Sequence, residues 1–396
     1  MHHFLNRNSI RFIIFAPIQA QRTPHILLFC SWYPTPENPL NGIFCRELAA
    51  LLATRCKVSV AYVRYHSKGG KPVIIRHTQP GFEEFEISIP RKSGIFAPFY
   101  HQYHVKKLLN QCLEMCADVN LIHVQVGWKA AWDAVLFLKR KNLPMVVTEH
   151  NTDWLPKDRQ YPGWKRQLTA WAMRRASAIS AVSANLADHI SSATGKPVQV
   201  IPNPVAQEFT NAKIADPKLG GPVFLHVSNF NFRQKQTHKI IRVFSQYAQE
   251  NPHARLQLNV PEGAFHAFKS ANPQYSWDKI ELLVPNDDKS ILLKRMQNAD
   301  FLLSYSRFET FGLVIAEALC LGVPAIFTPC KGADLYIDEK MGIICDADND
   351  ASLLEAMRKT EGFSTDRSYI AAKARQQFST KAVLDAYEAL YQQLIP

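Results

Sequence analysis

Two glutamates, Glu309 and Glu317, lie eight positions apart in the segment SRFETFGLVIAEALCLGVPAI (306–326), which is otherwise largely apolar. A carboxylate in such surroundings is costly unless it accepts hydrogen bonds. Sugar hydroxyls are suitable donors, and the two vicinal hydroxyls of a ribose would suit Glu317. The residues alone leave a second interpretation open, in which Glu309 is an acid near a helix N-terminus and Glu317 a surface residue.

The elements around these glutamates can be predicted. A short apolar run before Glu309, residues 301–304, is typical of a buried strand, and from Gly312 onward apolar residues recur with a helical period. Glu309 is therefore expected in the loop, and Glu317 in the second helical turn, about 7.5 Å beyond Gly312. The backbone N–H groups of Phe311, Gly312 and Leu313 would be unpaired at the helix start, an arrangement that binds phosphate. A nucleoside diphosphate sugar carries its groups in this order.

The same stretch resembles the E-x7-E signature of retaining glycosyltransferases of family four, which have the GT-B fold. The matching positions are Glu309, Phe311-Gly312-Leu313, Glu317-Ala318 and Gly322-Val323-Pro324. The resemblance extends from about residue 25 to the C-terminus and is stronger in the second half. It implies transfer of a sugar from a nucleoside diphosphate sugar to an acceptor hydroxyl, with retention of the anomeric configuration.

Other positions fit that family, with departures. In the segment HVSNFNFRQKQTHK, Lys235 matches the lysine that contacts the donor diphosphate. The arginine usual in that loop is missing, and Arg233 is the candidate to replace it. Gly42 and Gly332 match glycines of two loops near the donor, although each loop has one glycine where relatives often have two. His150, in VVTEHNTDW, matches a residue that faces the transferred sugar.

The resemblance also implies a mechanism. Glu309 would bind sugar hydroxyls, while Lys235 and Arg233 would stabilise the departing diphosphate, which accepts the proton of the acceptor. The pair of carboxylates used by retaining hydrolases is not expected. The donor would be a UDP or GDP sugar, and neither a cofactor nor a metal ion is expected. His123 is a weaker site candidate, and Asn203 is interpreted as a hinge residue.

Both halves of the chain alternate short apolar runs with helical patterns, which predicts parallel sheets covered by helices on both faces. No strand is predicted between residues 64 and 120. The fold class is α/β, a GT-B arrangement of two doubly wound Rossmann-like domains that face a central cleft. The predicted segments are a leader (1–24), an N-terminal acceptor-binding domain (25–204), a C-terminal nucleotide-sugar-binding domain (205–378) and a C-terminal helix that returns to the first domain (379–396).

Charge is unevenly distributed along the chain. Residues 1–200 carry 25 Lys and Arg against 12 Asp and Glu, whereas residues 201–396 carry 21 against 22. Such an excess indicates an anionic partner for the first half. Residues 91–109 mix cations with aromatic side chains, so peripheral contact with an anionic membrane and a lipid-linked acceptor are expected; a buried helix face with a basic edge is the alternative. No recognition motif for nucleic acid accompanies the charge.

The expected location is the cytoplasm, at the inner face of the cell membrane. No apolar run approaches the roughly 20 residues that span a bilayer. The eight cysteines lack metal-binding spacing and are interpreted as reduced thiols.

Three functions remain open. The first is assembly of a cell-surface polysaccharide or glycolipid by a retaining glycosyltransferase. The second is the same chemistry on a small soluble acceptor. The third is nucleotide-sugar binding without turnover, which the missing loop arginine favours, whereas the presence of Glu309, Glu317 and Lys235 favours an enzyme.

Overall fold

The computed structural model describes residues 23–395 apart from residues 40, 68, 139–141, 157–161, 217–219 and 287. Nearly all of the predicted leader, residues 1–24, lies outside the described residues. The described chain forms two sheets with helices between their strands.

The first sheet has eight strands. They are β1 (His25–Cys30), β2 (Lys57–His66), β3 (Val73–Gln79), β4 (Phe82–Pro90), β5 (Leu121–Gln125), β6 (Met145–Glu149), β7 (Ala178–Ala181) and β8 (Gln199–Val200). The accompanying helices are α1 (Ile43–Leu52), α2 (Ala97–Met115), α3 (Ala130–Leu138), α4 (Gly163–Met173) and α5 (Ala184–Thr194). The strand order is β3-β4-β2-β1-β5-β6-β7-β8, with all neighbours parallel except β3 and β4.

The second sheet has six strands, all parallel. After the short helix α6 (Gln207–Thr210) come β9 (Val223–Val227), α7 (Thr237–Glu250), β10 (Arg255–Asn259), α8 (Glu262–Ala271), β11 (Ile280–Leu283) and α9 (Lys289–Asn298). They are followed by β12 (Phe301–Ser304), α10 (Leu313–Cys320), β13 (Ala325–Phe327), β14 (Gly342–Ile344), α11 (Asp350–Arg358), α12 (Arg367–Phe378) and α13 (Thr380–Gln392). The order β11-β10-β9-β12-β13-β14 is that of a doubly wound nucleotide-binding sheet.

The burial of the strands confirms sheets that are covered on both faces. Ile26 and Leu27 are neighbours in β1 and both fully buried, yet they belong to different apolar clusters. Successive side chains of a strand point to opposite faces, so each face of the first sheet has its own core.

The hairpin β3–β4 shows that the prediction of no strand between residues 64 and 120 is wrong. The two strands pair antiparallel from residues 73 and 88 to residues 79 and 82. Glu84 and Glu86 of β4 are buried, because Tyr33 donates to Glu84 at 2.6 Å and Arg64 donates to Glu86 at 3.1 Å. Because these partners lie outside β4, the polar sequence of β4 does not by itself indicate a buried strand.

The last helix, α13, packs on the first sheet. Val383, Leu384 and Tyr387 share an apolar cluster with the side chains of β1 and α1. The chain thus passes between the two sheets twice, and the two crossings touch where the N–H of Val205 donates to the carbonyl of Phe378 at 2.8 Å.

Contacts between the domains come from loops and helix starts that follow the carboxyl ends of strands. Lys289 of α9 pairs with Glu47 of α1 at 2.5 Å, and Asn185 of α5 donates to the carbonyl of Cys330 at 3.1 Å. The carboxyl edges of the two sheets therefore face each other across the cleft. Across the described ranges, no helix combines the length and hydropathy needed to span a bilayer.

Candidate functional site

The neighbouring strands β9 and β12 mark the point where the second sheet reverses its winding. Open α/β sheets bind ligands outside the carboxyl ends of such strands. Lys235 follows β9 and Glu309 follows β12, and their side chains form an ion pair across this point. Ser306 donates to the same Glu309 oxygen at 2.9 Å, and Gln234 donates to the other oxygen at 3.4 Å. Three side chains thus orient the Glu309 carboxylate, which is 7% exposed.

The start of α10 adjoins this ion pair. Gly312 caps the helix with φ 84° and ψ 53°, a left-handed conformation that favours glycine. Within the described part of the chain, nothing accepts a hydrogen bond from the backbone N–H of Phe311, Gly312 or Leu313. The side chain of Phe311 is buried against Phe378, with ring centroids 5.6 Å apart. The helix start therefore offers backbone donors and the positive end of a dipole.

Glu317 lies in the second turn of α10, as predicted, and is 8% exposed. Its carboxylate has no hydrogen-bond or ion-pair partner among the described residues. Burial raises its pKa from 4.5 to about 8, which Lys289 opposes and Glu47 reinforces. Among the described residues, the Glu317 carboxyl group thus lacks the hydrogen-bond donors that would favour its ionised form.

Gly332 lies in the loop after β13 and touches the backbone before α10. A Cβ atom on Gly332 would sit 2.2 Å from the carbonyl oxygen of Phe311. The N–H groups of Cys330, Lys331 and Gly332 all donate to Asp334, at 3.0, 3.0 and 2.7 Å. Glycine here permits close packing, and the loop's own N–H groups are already occupied.

The first domain contributes Gly42 and His150 to the facing edge. Gly42 has φ 67°, and a Cβ atom on it would lie 2.4 Å from the backbone of Trp32. His150 follows β6, with Nε2 2.8 Å from Oε1 of Gln125 and its ring 4.4 Å from that of Phe44. Burial lowers the pKa of His150 to about 3, so the ring is neutral, and its Nδ1 has no described partner.

The remaining two candidates differ in exposure. Arg233 lies in the same loop as Lys235, exposed, with its guanidinium 5.9 Å from the ring centre of Phe308. His123 is fully buried within the first domain, 2.6 Å from Tyr391 and 2.6 Å from Thr148. Since both ring nitrogens of His123 are engaged inside the protein, it does not line the cleft.

Strained backbone marks the same edge of both sheets. Among the described non-glycine residues with positive φ, those in loops after β5, β9 and β13 are Val126, Lys129, Phe230, Gln236 and Lys331. Each such conformation costs about 1–3 kcal/mol and is typical of functional sites. For a β-branched residue such as Val126 (φ 64°) it is a pronounced outlier.

Sequence reasoning missed three polar residues of the site: Gln125, Ser306 and Asp334. Asp334 lies in a loop that contains glycine and aspartate, a composition typical of turns in which an Asp side chain bonds to backbone. Gln125 and Ser306 carry no comparable local signal. No group of three or more His, Cys, Asp and Glu that could hold a metal ion occurs in the part of the chain that the structure describes.

Two family models match the chain. One, described as Glycosyltransferase Family 4, matches residues 42–209, and the other, Glycosyl transferases group 1, matches residues 221–360. Each falls on one of the two sheets, and together they cover most of the described chain.

Similar proteins agree with these matches. Glycogen synthase of Mycobacterium tuberculosis is 24% identical over 66% of this chain. The matched part covers 64% of the length of that protein. N-acetyl-alpha-D-glucosaminyl L-malate synthase of Bacillus anthracis is 20% identical over 89% of this chain and 93% of its own.

Solved structures show the same architecture. The sucrose-phosphate synthase of Thermosynechococcus elongatus superposes with a TM-score of 0.69 at 16% identity, covering 94% of this chain and 99% of its own. Anabaena HepE in complex with UDP gives 0.67 at 16% identity, covering 94% and 100%. Together with the two facing sheets, these likenesses confirm the GT-B fold.

Proposed function

We propose that this chain, which belongs to the family 4 type of glycosyltransferases, transfers a sugar from a nucleoside diphosphate sugar to an acceptor hydroxyl with retention of configuration. The observation that carries the donor class is Glu317, a buried carboxyl group that has no partner among the described residues. It lies beside a helix start whose N–H groups also have no acceptor in that part of the chain. A diphosphate at Gly312 and ribose hydroxyls at Glu317 would lie about 7.5 Å apart along the helix, the order of groups in such a donor.

The leaving diphosphate needs positive charge as its bond to the sugar breaks. Lys235 supplies it from the loop after β9, with Arg233 in the same loop and the start of α10 opposite. In this proposal the protein's own donors stabilise the leaving group, so neither a metal ion nor a cofactor is required. The ion pair with Glu309 keeps Lys235 in place before the donor arrives.

Glu309 binds the transferred sugar in this scheme and does not attack it. Its oxygens already accept hydrogen bonds from Lys235, Ser306 and Gln234, which fixes the carboxylate and lowers its nucleophilicity. The departing diphosphate then takes the proton of the acceptor hydroxyl on the face where the new bond forms. In this proposal His150, whose neutral ring has an Nδ1 atom without a partner among the described residues, contributes a hydrogen bond to the sugar from the first domain.

UDP sugars are the first donors to test, because the similar HepE structure contains UDP. The purified protein should be screened against UDP-, GDP- and ADP-sugars by thermal stabilisation and by slow donor hydrolysis. Stabilisation and turnover with one donor, both lost in Glu317→Ala and kept in the exposed-carboxylate control Glu355→Ala, are expected. Stabilisation without turnover by any donor would support the binding-protein alternative, and no stabilisation would refute the site.

The acceptor we propose is a precursor of a cell-surface polysaccharide or glycolipid, met at the inner face of the cell membrane. The charge excess of the first half supports this choice. The likeness to the N-acetyl-alpha-D-glucosaminyl L-malate synthase of Bacillus anthracis, which covers 89% of this chain, favours a second candidate, a small soluble acceptor. Product analysis with lipid-linked and soluble acceptors separates the two, and the configuration of the product tests retention.

A further inference from the structure

The first turns of α2 and the two residues before them expose a run of large apolar side chains. Ile95, Phe96, Phe99 and Tyr103 are 81%, 74%, 74% and 62% exposed. They recur at the spacing of one helix face. The C-terminal part of α2 is buried in the first domain, which holds the helix in place. The four exposed side chains at its start are called the aromatic tip below.

Unpaired cations surround the aromatic tip. Arg91, Lys92, Lys106 and Lys107 are all exposed, and none forms an ion pair with a described residue. Lys92 lies 5.9 Å from the ring centre of Tyr100. Apolar side chains ringed by cations are the composition of helices that lie in the interface of an anionic bilayer.

The aromatic tip also lies near the carboxyl edge of the first sheet. β4 runs parallel to β1 and β2, and α2 begins a few residues after β4 ends, which places its start at the carboxyl edge that faces the cleft. His101 of α2 packs against Tyr65, with ring centroids 4.8 Å apart, and Lys129 of the loop after β5 lies 4.0 Å from the same ring. Through His101, helix α2 therefore contacts side chains at the carboxyl edge of the first sheet.

We propose that the aromatic tip docks this protein on an anionic lipid bilayer, with Phe96 and Phe99 inserted among the acyl chains and the four cations on the lipid phosphates. When the protein is docked in this way, the carboxyl edge of the first sheet lies near the membrane. It can then reach an acceptor whose lipid part stays in the bilayer. The acceptor part rests on the proposed function, whereas the docking itself needs no donor.

The sizes of the expected effects follow from transfer energetics. Each Lys or Arg near an anionic surface strengthens association about fivefold, so vesicles with phosphatidylglycerol should bind far more tightly than phosphatidylcholine alone. Salt should weaken this binding because the cations are exposed. Removing two phenyl rings from the apolar region should weaken it by a further factor of at least about ten.

Vesicle co-sedimentation tests the proposal. The wild type should bind phosphatidylglycerol vesicles, release them at high salt, and bind phosphatidylcholine weakly. Phe96→Ser with Phe99→Ser should lose vesicle binding, while Met115→Ser, an exposed site (52%) at the far end of α2, should keep it. Both variants should keep thermal stabilisation by UDP, since that site lies in the second domain.

Three outcomes would overturn docking: a wild type that stays in solution with anionic vesicles, equal binding by the serine double variant, or equal binding to neutral vesicles. A concentration-dependent dimer in gel filtration that disappears in the double variant would show that a second copy covers the tip. If the wild type binds anionic vesicles but is not stabilised by UDP, the proposed function is contradicted and membrane docking is still supported.

Discussion

Replacing Glu317 with glutamine should change how stability depends on pH. The carboxyl group of the wild type is 8% exposed and has no described partner, and burial raises its pKa from 4.5 to about 8. Glutamine has a similar shape and cannot ionise. The variant therefore removes the cost of keeping this carboxyl group protonated above its ordinary pKa and little else.

The sign and size of the difference in unfolding free energy between the two proteins follow from proton linkage. Between about pH 5 and pH 8 the folded wild type keeps a proton on Glu317 that the unfolded chain has released. Its free energy of unfolding therefore falls by about 1.4 kcal/mol per pH unit relative to the variant. The advantage of Glu317→Gln should reach about 4 kcal/mol at pH 8 and level off above it.

Urea unfolding of both proteins, followed by tryptophan fluorescence from pH 5 to pH 9, measures this difference. Glu355→Gln, at an exposed position of α11, controls for the loss of a carboxylate. Saturating UDP should flatten the slope, since ribose hydroxyls would stabilise the ionised carboxylate. A wild-type-minus-variant difference that stays constant over this range would refute a buried, unpartnered Glu317.

Three further substitutions test the geometry. Gly312→Ala places a Cβ atom at φ 84°, and should cost about 1–2 kcal/mol in a thermal melt and weaken donor binding. Gly332→Ala, whose Cβ atom would lie 2.2 Å from the carbonyl oxygen of Phe311, should lower the melting temperature more than Gly312→Ala does; a smaller loss would contradict the packing. Lys235→Met leaves the Glu309 carboxylate without its cation and should lower the free energy of unfolding in urea by about 3 kcal/mol. Adding Glu309→Gln to this variant should restore part of the loss, whereas additive losses would argue against the ion pair.

Much of the fold could be predicted because buried parallel strands appear as short apolar runs. The predicted strand at 301–304 coincides with β12, and the helix predicted from Gly312 is α10, which starts one residue later. These local patterns also placed Glu309 in a loop and Glu317 in the second helical turn. The strand order of the second sheet is that of the doubly wound topology, whereas the first sheet adds the hairpin β3–β4, which the apolar runs did not predict.

The rest depends on contacts between distant parts of the chain. From the sequence, Glu84 is typical of a surface residue. In the structure it is buried and accepts a hydrogen bond from the hydroxyl of Tyr33, 51 positions away. His123 looked like a site candidate, but Tyr391, 268 positions away on α13, closes off its ring. Pairings of this kind leave no periodic pattern in a single sequence, because each partner belongs to a different element.

The central claim is that the Glu317 carboxylate holds the ribose of the donor, and calorimetry with UDP and 2′,3′-dideoxy-UDP tests it most directly. Two hydrogen bonds to a carboxylate, at about 1.5 kcal/mol or more each, predict that the wild type binds UDP at least about 150-fold more tightly than the dideoxy compound. Glu317→Gln should bind UDP more weakly and lose most of that discrimination. Equal affinity of the wild type for both nucleotides, or unchanged discrimination in the variant, would contradict the account.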